Sequence, residues 1–228
     1  MAIDQNLKQL EIFSGLESSD LDLLTQHTEL HNFKRGSFIY KTGDEASYVY
    51  LMNVGSVKLI KSHPDGKERI IHILLRGEVF GAMVVMNKGF YPVSAVGLEE
   101  GSCLKIAASV FRQIFLNHPK IGQKLMLQIS QRMQMAHDDR LFTIDSVEKR
   151  IAFFLLDLLE RIQKIYGQTS RINLPLTKQD IADKVASTVE TVIRIMGQWS
   201  RQNLVLIKDR YIEIPDISLL KNIAGFEV

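Results

Sequence analysis

The stretch STVETVIRIM, Ser187 to Met196, carries a carboxylate and a guanidinium, Glu190 and Arg194, four residues apart. On a helix that spacing is one turn, so the two side chains leave the same face. Val192, Ile195, Met196 and Trp199 fall at i, i+3, i+4 and i+7 and form an apolar stripe on the other side, where a core would lie. Two kinds of chemistry fit the polar face, which Gly197 and Arg201 continue. One is an intrahelical ion pair, worth about 0.3–0.5 kcal/mol. The other is the reading of base edges in a DNA major groove. Glu190 would accept from a cytosine amine, and Arg194 would donate two hydrogen bonds to guanine O6 and N7. Ile193 and Val189 suit a thymine methyl, with Thr188 at the turn ahead of them. Thr177, Lys178 and Gln179, some ten residues upstream, are placed to offer backbone amides and side chains to a phosphate. Lys208 and Arg210 suit a second phosphate contact.

These residues need elements to hold them. LTKQDIADKVA opens with Thr177 and places Asp180 three residues on, a capping-box spacing ahead of Ile181 and Val185. Ala186 to Thr188 is a short turn, and LVLIKDRYIEI reads as two strands around Lys208–Arg210. Helix, tight turn, helix and hairpin is the order of a winged helix-turn-helix. Upstream, VEKRIAFFLLDLLERIQKIY (147–166) predicts an amphipathic helix with Val147, Ile151, Phe154, Leu155, Leu158, Ile162 and Ile165 on one face. Beyond Pro119, Gly122, Met126, Ile129, Met133, Ala136 and Arg140 step by four and three, a heptad-like seam in a largely polar helix. A seam that narrow lies across a neighbouring domain or pairs with its copy in a second subunit, and the pattern favours the dimer. From about 33 to 106 the texture is β. Glycines at 43, 55, 66 and 77 separate short runs such as SFIY, YVYLM and RIIHILL, and HPDGKE reads as a hairpin turn. That pattern predicts an antiparallel barrel or jelly roll. The first ~30 residues read as short helices, with Ser18 or Ser19 as a cap.

Composition narrows the functions. A length of 228 residues with 46% hydrophobic content allows one large or two modest domains. The formal charge of +2 gives no global pull toward nucleic acid, so that case rests on local placement. A single cysteine, Cys103, excludes an internal disulfide and an iron–sulfur cluster held by one chain. The start lacks a signal-peptide pattern and no run reaches the ~18 apolar residues of a membrane span, so a cytoplasmic location with no membrane partner is expected. No phosphate-binding glycine loop or nucleophile motif is present, and no catalytic or metal-ligating set is assigned.

The run LTKQDIADKVASTVETVIRIMGQWSRQNLVLIKDRYIEI resembles, almost position for position, the DNA-binding motif of the bacterial regulators named for the cyclic-AMP receptor protein and the fumarate–nitrate regulator. GSFIYKTGD, VYLMNVGSVKLIK and DGKERIIHILLRGEVFG resemble that family's sensor domain. The resemblance implies an α+β chain: a β-barrel or jelly-roll sensor (1–117), a dimerisation helix (118–143) and a winged helix-turn-helix (144–228). It further implies a homodimer on symmetric double-stranded DNA that recruits or blocks RNA polymerase. Glu190 and Arg194 stand where the family's shared base readers stand, which implies a TGA-containing half-site. Val189 matches the fumarate–nitrate branch, and Ile193 replaces a serine typical of the oxygen sensors, leaving the first base open.

For the effector, the family's Gly-Glu segment is matched by Gly77-Glu78, followed by Val79. Its phosphate-binding Arg-Ser pair aligns with Tyr91-Pro92, which removes a bidentate cation. Lys88 or Ser94 offers an alternative phosphate contact, and Met126, Ile129 and Met133 an adaptable wall next to the sensor domain, as do Met83 and Met86. FGAMVVMNKGFYPVSAV is similar to the nitric-oxide-responsive branch, whose members are thought to use haem. His27, His31, His63, His72, His118 and His137 are the candidate axial ligands. A cyclic nucleotide and haem thus stand as the candidate small-molecule effectors.

Overall fold

The computed structural model describes residues 7, 10–62, 66–141 and 145–226, the side chains of 135–141 apart. The chain divides into two compact units, residues 1–61 with 72–133 and residues 62–71 with 134–228. The first unit contains a short 3-10 turn, Glu11–Phe13, and helix α1, Ser18–Gln26. Neither Ser18 nor Ser19 caps α1. Glu17 is the N-cap and makes no side-chain cap bond, so the helix is held by burial of Leu21 and Leu24 instead.

Eight strands follow: β1 Thr28–Phe33, β2 Phe38–Tyr40, β3 Tyr48–Val54, β4 Val57–Ser62, β5 Glu68–Leu74, β6 Val79–Phe80, β7 Ser94–Gly97 and β8 Gly101–Ala107. They form two four-stranded sheets in the orders β1-β8-β3-β6 and β2-β7-β4-β5, a jelly-roll arrangement. The sheets are not closed into a barrel, so of the two forms expected, barrel or jelly roll, the jelly roll is the one observed. The glycines that punctuated the sequence, Gly43, Gly55, Gly66 and Gly77, all adopt positive φ, the backbone that turns need and that a Cβ resists. His63 to Asp65 of the expected hairpin turn lie outside the described residues, but β4 and β5 are neighbours in the sheet as a hairpin requires.

Two helices that the sequence did not single out, α2 Ala82–Met86 and α3 Ala108–Asn117, complete this unit. The core of the unit includes Leu51, Met52, Leu74, Phe80, Leu104, Phe111, Ile121 and Leu125.

Helix α4, Pro119–Leu141, begins in the first unit and ends in the second. Ile121 and Leu125 are buried, and Ile129 packs against the same core. These three are spaced by four residues, one line along the helix. The expected seam does not act as a single line: Met126 and Met133 are 62% and 73% exposed, with Leu127 at 63% beside them.

The second unit also contains α5, Val147–Tyr166, whose bounds coincide with the sequence expectation. Ser146 caps it by accepting from the Lys149 N–H, and Ile151, Phe154, Leu155, Leu158, Leu159 and Ile162 are buried. Helices α6, Lys178–Val185, and α7, Val189–Arg201, are followed by β10, Leu206–Lys208, and β11, Tyr211–Glu213. The two strands pair antiparallel with a two-residue turn at Asp209–Arg210. A third strand, β9, Arg171–Ile172, pairs with β11. A final helix, α8, Ile217–Ala224, packs on α5. No helix among the described residues is long and apolar enough to cross a membrane.

Candidate nucleic-acid interface and effector site

The interface is built from α6, α7 and the turn between them. The capping box at the start of α6 is complete: Thr177 Oγ1 accepts from the Asp180 N–H at 3.0 Å, and the Thr177 N–H donates to Asp180 Oδ2 at 2.9 Å. That leaves the Lys178 and Gln179 amides, in the first turn, outside the helix's own ladder. Gln179 turns its side chain to Asp183, donating at 2.6 Å. Lys178 is half-buried, and burial lowers the pKa of its ammonium. A phosphate placed there would supply the counter-charge that favours the protonated form.

Ala186 ends α6 in the left-handed region, at φ 51°, and Thr188 starts α7 by accepting from the Thr191 N–H. Val192, Ile195, Met196 and Trp199 are all at most 2% exposed, so α7 is locked along the stripe the sequence indicated. Glu190, Arg194 and Arg201 are exposed on its other side, and Val189 lies at the edge, partly covered. Glu190 and Arg194 form no ion pair with each other among the described residues, although such i,i+4 pairs do form on α5, Asp157–Arg161 and Glu160–Lys164. Ile193 is 52% exposed beside them. Lys208 and Arg210 are exposed at the tip of the β10–β11 hairpin.

The candidate effector residues sit in the first unit, and their polar groups are already engaged. The Gly77 N–H donates to Met52 O at 2.9 Å, and Gly77 O accepts from Gln128 Nε2 at 3.2 Å. Val79 is buried and its N–H donates to Gln128 Oε1 at 3.1 Å. Glu78 accepts from the Leu75 N–H at 2.7 Å and lies 3.1 Å from His72 Nε2 and 3.6 Å from Arg132 Nη2. Ser94 Oγ accepts from the Thr42 N–H at 2.9 Å. Tyr91 is 3% exposed, stacked on Tyr40 with ring centroids 3.8 Å apart, and donates from its hydroxyl to Tyr48 O at 2.5 Å.

Tyr50 and Phe80 complete this aromatic cluster, their centroids 5.2 Å apart and Tyr50 5.4 Å from Tyr40. Burial pushes the Tyr40, Tyr50 and Tyr91 hydroxyls above the ordinary phenol range, so all three are neutral donors at pH 7. Burial likewise raises the Cys103 thiol to about 12, which keeps it protonated. Gly81 is pressed against the cluster: a Cβ there would lie 3.1 Å from Tyr91 Cε1 and 3.2 Å from Tyr48 O.

Of the three methionine-wall residues, Ile129 packs on the core whereas Met126 and Met133 are exposed. Met83 is exposed as well. Sequence reasoning missed Tyr40, Tyr50, Gln128 and Arg132 at this site. Tyr40 and Tyr50 come from facing sheets and Gln128 and Arg132 from a distant helix, so only the three-dimensional topology brings them together.

His72 and His118 are held by carboxylates, the latter 2.9 Å from Asp20 Oδ2. Burial lowers the His31 pKa, with Lys105 adding to it, and His27 is exposed. His63 and the His137 side chain lie outside the described residues. Among those described, no group of three histidine, cysteine or acidic residues is placed to hold a metal ion.

Residues 30–118 match the cyclic nucleotide-binding domain and residues 149–223 the Crp-like helix-turn-helix domain. A CRP-like cAMP-activated global transcriptional regulator of Mycobacterium tuberculosis is 28% identical over 193 residues, covering 83% of this chain and 85% of the relative. The fumarate and nitrate reduction regulatory protein of Escherichia coli is 26% identical over 224 residues, covering 97% and 89%. Among solved structures, FixK2 from Bradyrhizobium japonicum shares the fold with a TM-score of 0.76 at 23% identity, covering 88% of this chain and 99% of that one.

Proposed function

The chain belongs to the family of transcription regulators named for the cyclic-AMP receptor protein and the fumarate–nitrate regulator, and we propose that it acts as a homodimer whose two α7 helices read a symmetric DNA site. The observation that carries this reading is the unpaired, exposed Glu190 and Arg194 on a helix whose opposite face is fully buried. An ion pair within reach is left unmade, and a large aliphatic side chain, Ile193, stands in water next to it. The unmade pair forgoes only about 0.3–0.5 kcal/mol, and what supports the reading is that the three side chains stand together where a major groove would use them, Arg194 on guanine O6 and N7, Glu190 on a cytosine amine and Ile193 on a thymine methyl.

The half-site proposed is TGA-containing, with Val189 at the outer position and Thr188 at the helix entry. Lys178, the first-turn amides of Thr177–Gln179, Lys208 and Arg210 bind phosphates and fix the register without reading sequence. Homodimerisation through α4 is supported by the exposed Met126, Leu127 and Met133, apolar side chains that a second copy would cover. The two α7 helices then meet half-sites about one DNA turn apart. Bound to DNA, the dimer recruits or blocks RNA polymerase, and the jelly-roll unit receives the regulating signal.

Fluorescence anisotropy with a labelled duplex carrying two inverted TGA half-sites tests this. The wild-type chain should prefer it to a scrambled duplex, and Arg194→Ala should lower affinity by about 1–3 kcal/mol while flattening the preference at the guanine. Equal affinity for both duplexes together with indifference to Arg194→Ala would overturn the reading.

A further inference from the structure

Gly197 stands well inside α7, Val189–Arg201, where no turn, cap or positive φ calls for a glycine. Glycine is among the poorest helix formers because it gives up the most backbone freedom on folding. A glycine inside a helix therefore needs a reason in its surroundings, and the chain itself supplies none. Apart from the helix's own backbone, what a Cβ at Gly197 would meet among the described residues is Arg201 Nη1, 3.9 Å away, an ordinary contact. Elsewhere the fold demands glycine from within: a Cβ on Gly101 would lie 2.2 Å from Val54 O, and one on Gly97 2.5 Å from Lys34 O. At Gly197 the demand comes from outside the chain.

The position of Gly197 points to the partner. Glu190, Arg194, Gly197 and Arg201 step by four, three and four residues along one line of α7, opposite the buried Val192, Ile195, Met196 and Trp199. At about 1.5 Å per residue, Gly197 lies about 4.5 Å further along the axis than Arg194. Arg194 and Arg201 are exposed before and after it and make no ion pair among the described residues. Side chains on a helix lean toward its N-terminus, so Arg201 lies back over the turn that holds Gly197. The missing Cβ leaves a notch in the helix surface with a guanidinium over it. A bulky anionic group fits that notch, and a guanidinium meets a phosphate through two parallel hydrogen bonds. A helix with its side chains is about 10–12 Å across and the DNA major groove about 12 Å wide, so a helix that enters by its first turn meets the groove wall further along.

We infer that Gly197 is where α7 rests on the sugar–phosphate backbone of the duplex, and that Arg201, folded over the glycine, holds the phosphate seated there. Glu190 and Arg194 face the base edges nearer the helix start, and Gly197 sets how deeply they enter; it is a positioning residue. A methyl group at this place leaves the free chain intact and holds the helix off the DNA. The inference deepens the reading of α7 as the DNA-contacting helix and rests on it.

The test uses the full chain, with anisotropy titrations on the TGA and scrambled duplexes and thermal unfolding in parallel. Gly197→Ala should raise the unfolding midpoint by about 1–4 °C, since alanine is the better helix former. The same variant should bind the TGA duplex about tenfold more weakly, the scale of an added methyl group in a close-packed contact. Its loss on the scrambled duplex should be smaller, because binding there rests on charge. Arg201→Ala should weaken both duplexes and lower the slope of log affinity against log salt by about one. In the Gly197→Ala background the Arg201→Ala change should cost less than in the wild type, because the phosphate is no longer seated. A lower midpoint for Gly197→Ala would assign the glycine to the chain's own fold and overturn the inference, as would affinity for the TGA duplex within about twofold of the wild type. A wild-type chain that does not prefer the TGA duplex removes the DNA-reading assignment and this inference with it; a wild-type preference that Gly197→Ala leaves unchanged removes this inference alone.

Discussion

Lys208 and Arg194 are both exposed cations of one domain, yet their proposed work differs. Arg194 is fixed on a helix with a fully buried opposite face, which gives its guanidinium a direction; Lys208 sits exposed beside a two-residue turn, with no ion pair among the described residues. A point charge without orientation neutralises a phosphate and reads no base. Lys208→Ala should therefore weaken binding to matched and scrambled duplexes alike and reduce the slope of log affinity against log salt by about one. Anisotropy titrations at several salt concentrations measure both, and a loss confined to the matched duplex would contradict the assignment. At this scale the exposed placement of Glu190 and Arg194 was legible in the sequence because it depends only on neighbours within one helix. Glu78 was not. The family resemblance implied a ligand contact for it; what the sequence did not show is that its carboxylate faces the Leu75 N–H, His72 and Arg132, since Arg132 lies on another element far along the chain.

Helix α6 shows how much of the interface depends on a single cap. Thr177 and Asp180 bond reciprocally, and the Asp180 side chain is buried within that arrangement. Thr177→Ala removes the side-chain acceptor at the first turn and should cost about 1 kcal/mol, the usual worth of an N-cap. Thermal unfolding would show it as a lower midpoint, with DNA affinity falling as well if the first-turn amides bind phosphate. The bounds of α5 were readable from its apolar periodicity and the start of α6 from its capping box. Helix α8 was overlooked although Asp216 caps it by accepting from the Ser218 N–H; with two buried residues, Leu220 and Ala224, its stripe is too short to stand out. In α4 the heptad reading merged two faces, since Met126 and Met133 step in register with the packed Ile129. Replacing Leu127 and Met133 by glutamate tests the exposed face. Sedimentation equilibrium should show the Leu127→Glu, Met133→Glu variant as a monomer, while its ellipticity stays that of the wild type, because neither side chain is buried within its own chain.

At the scale of the whole molecule, the expected parts were 1–117, 118–143 and 144–228, whereas the two compact units divide the chain differently, with residues 62–71 grouped with 134–228. Residues 119–133 belong to the first unit and 134–141 to the second, yet Pro119–Leu141 is one uninterrupted helix. An α-helix advances about 100° per residue, so an insertion changes which of its residues share a face. Inserting a single alanine between Gln134 and Met135 should lower affinity for the symmetric duplex in an anisotropy titration, and inserting seven residues, which returns the helical phase to within about 20°, should restore it. A long helix tolerates added length in whole turns, and little else.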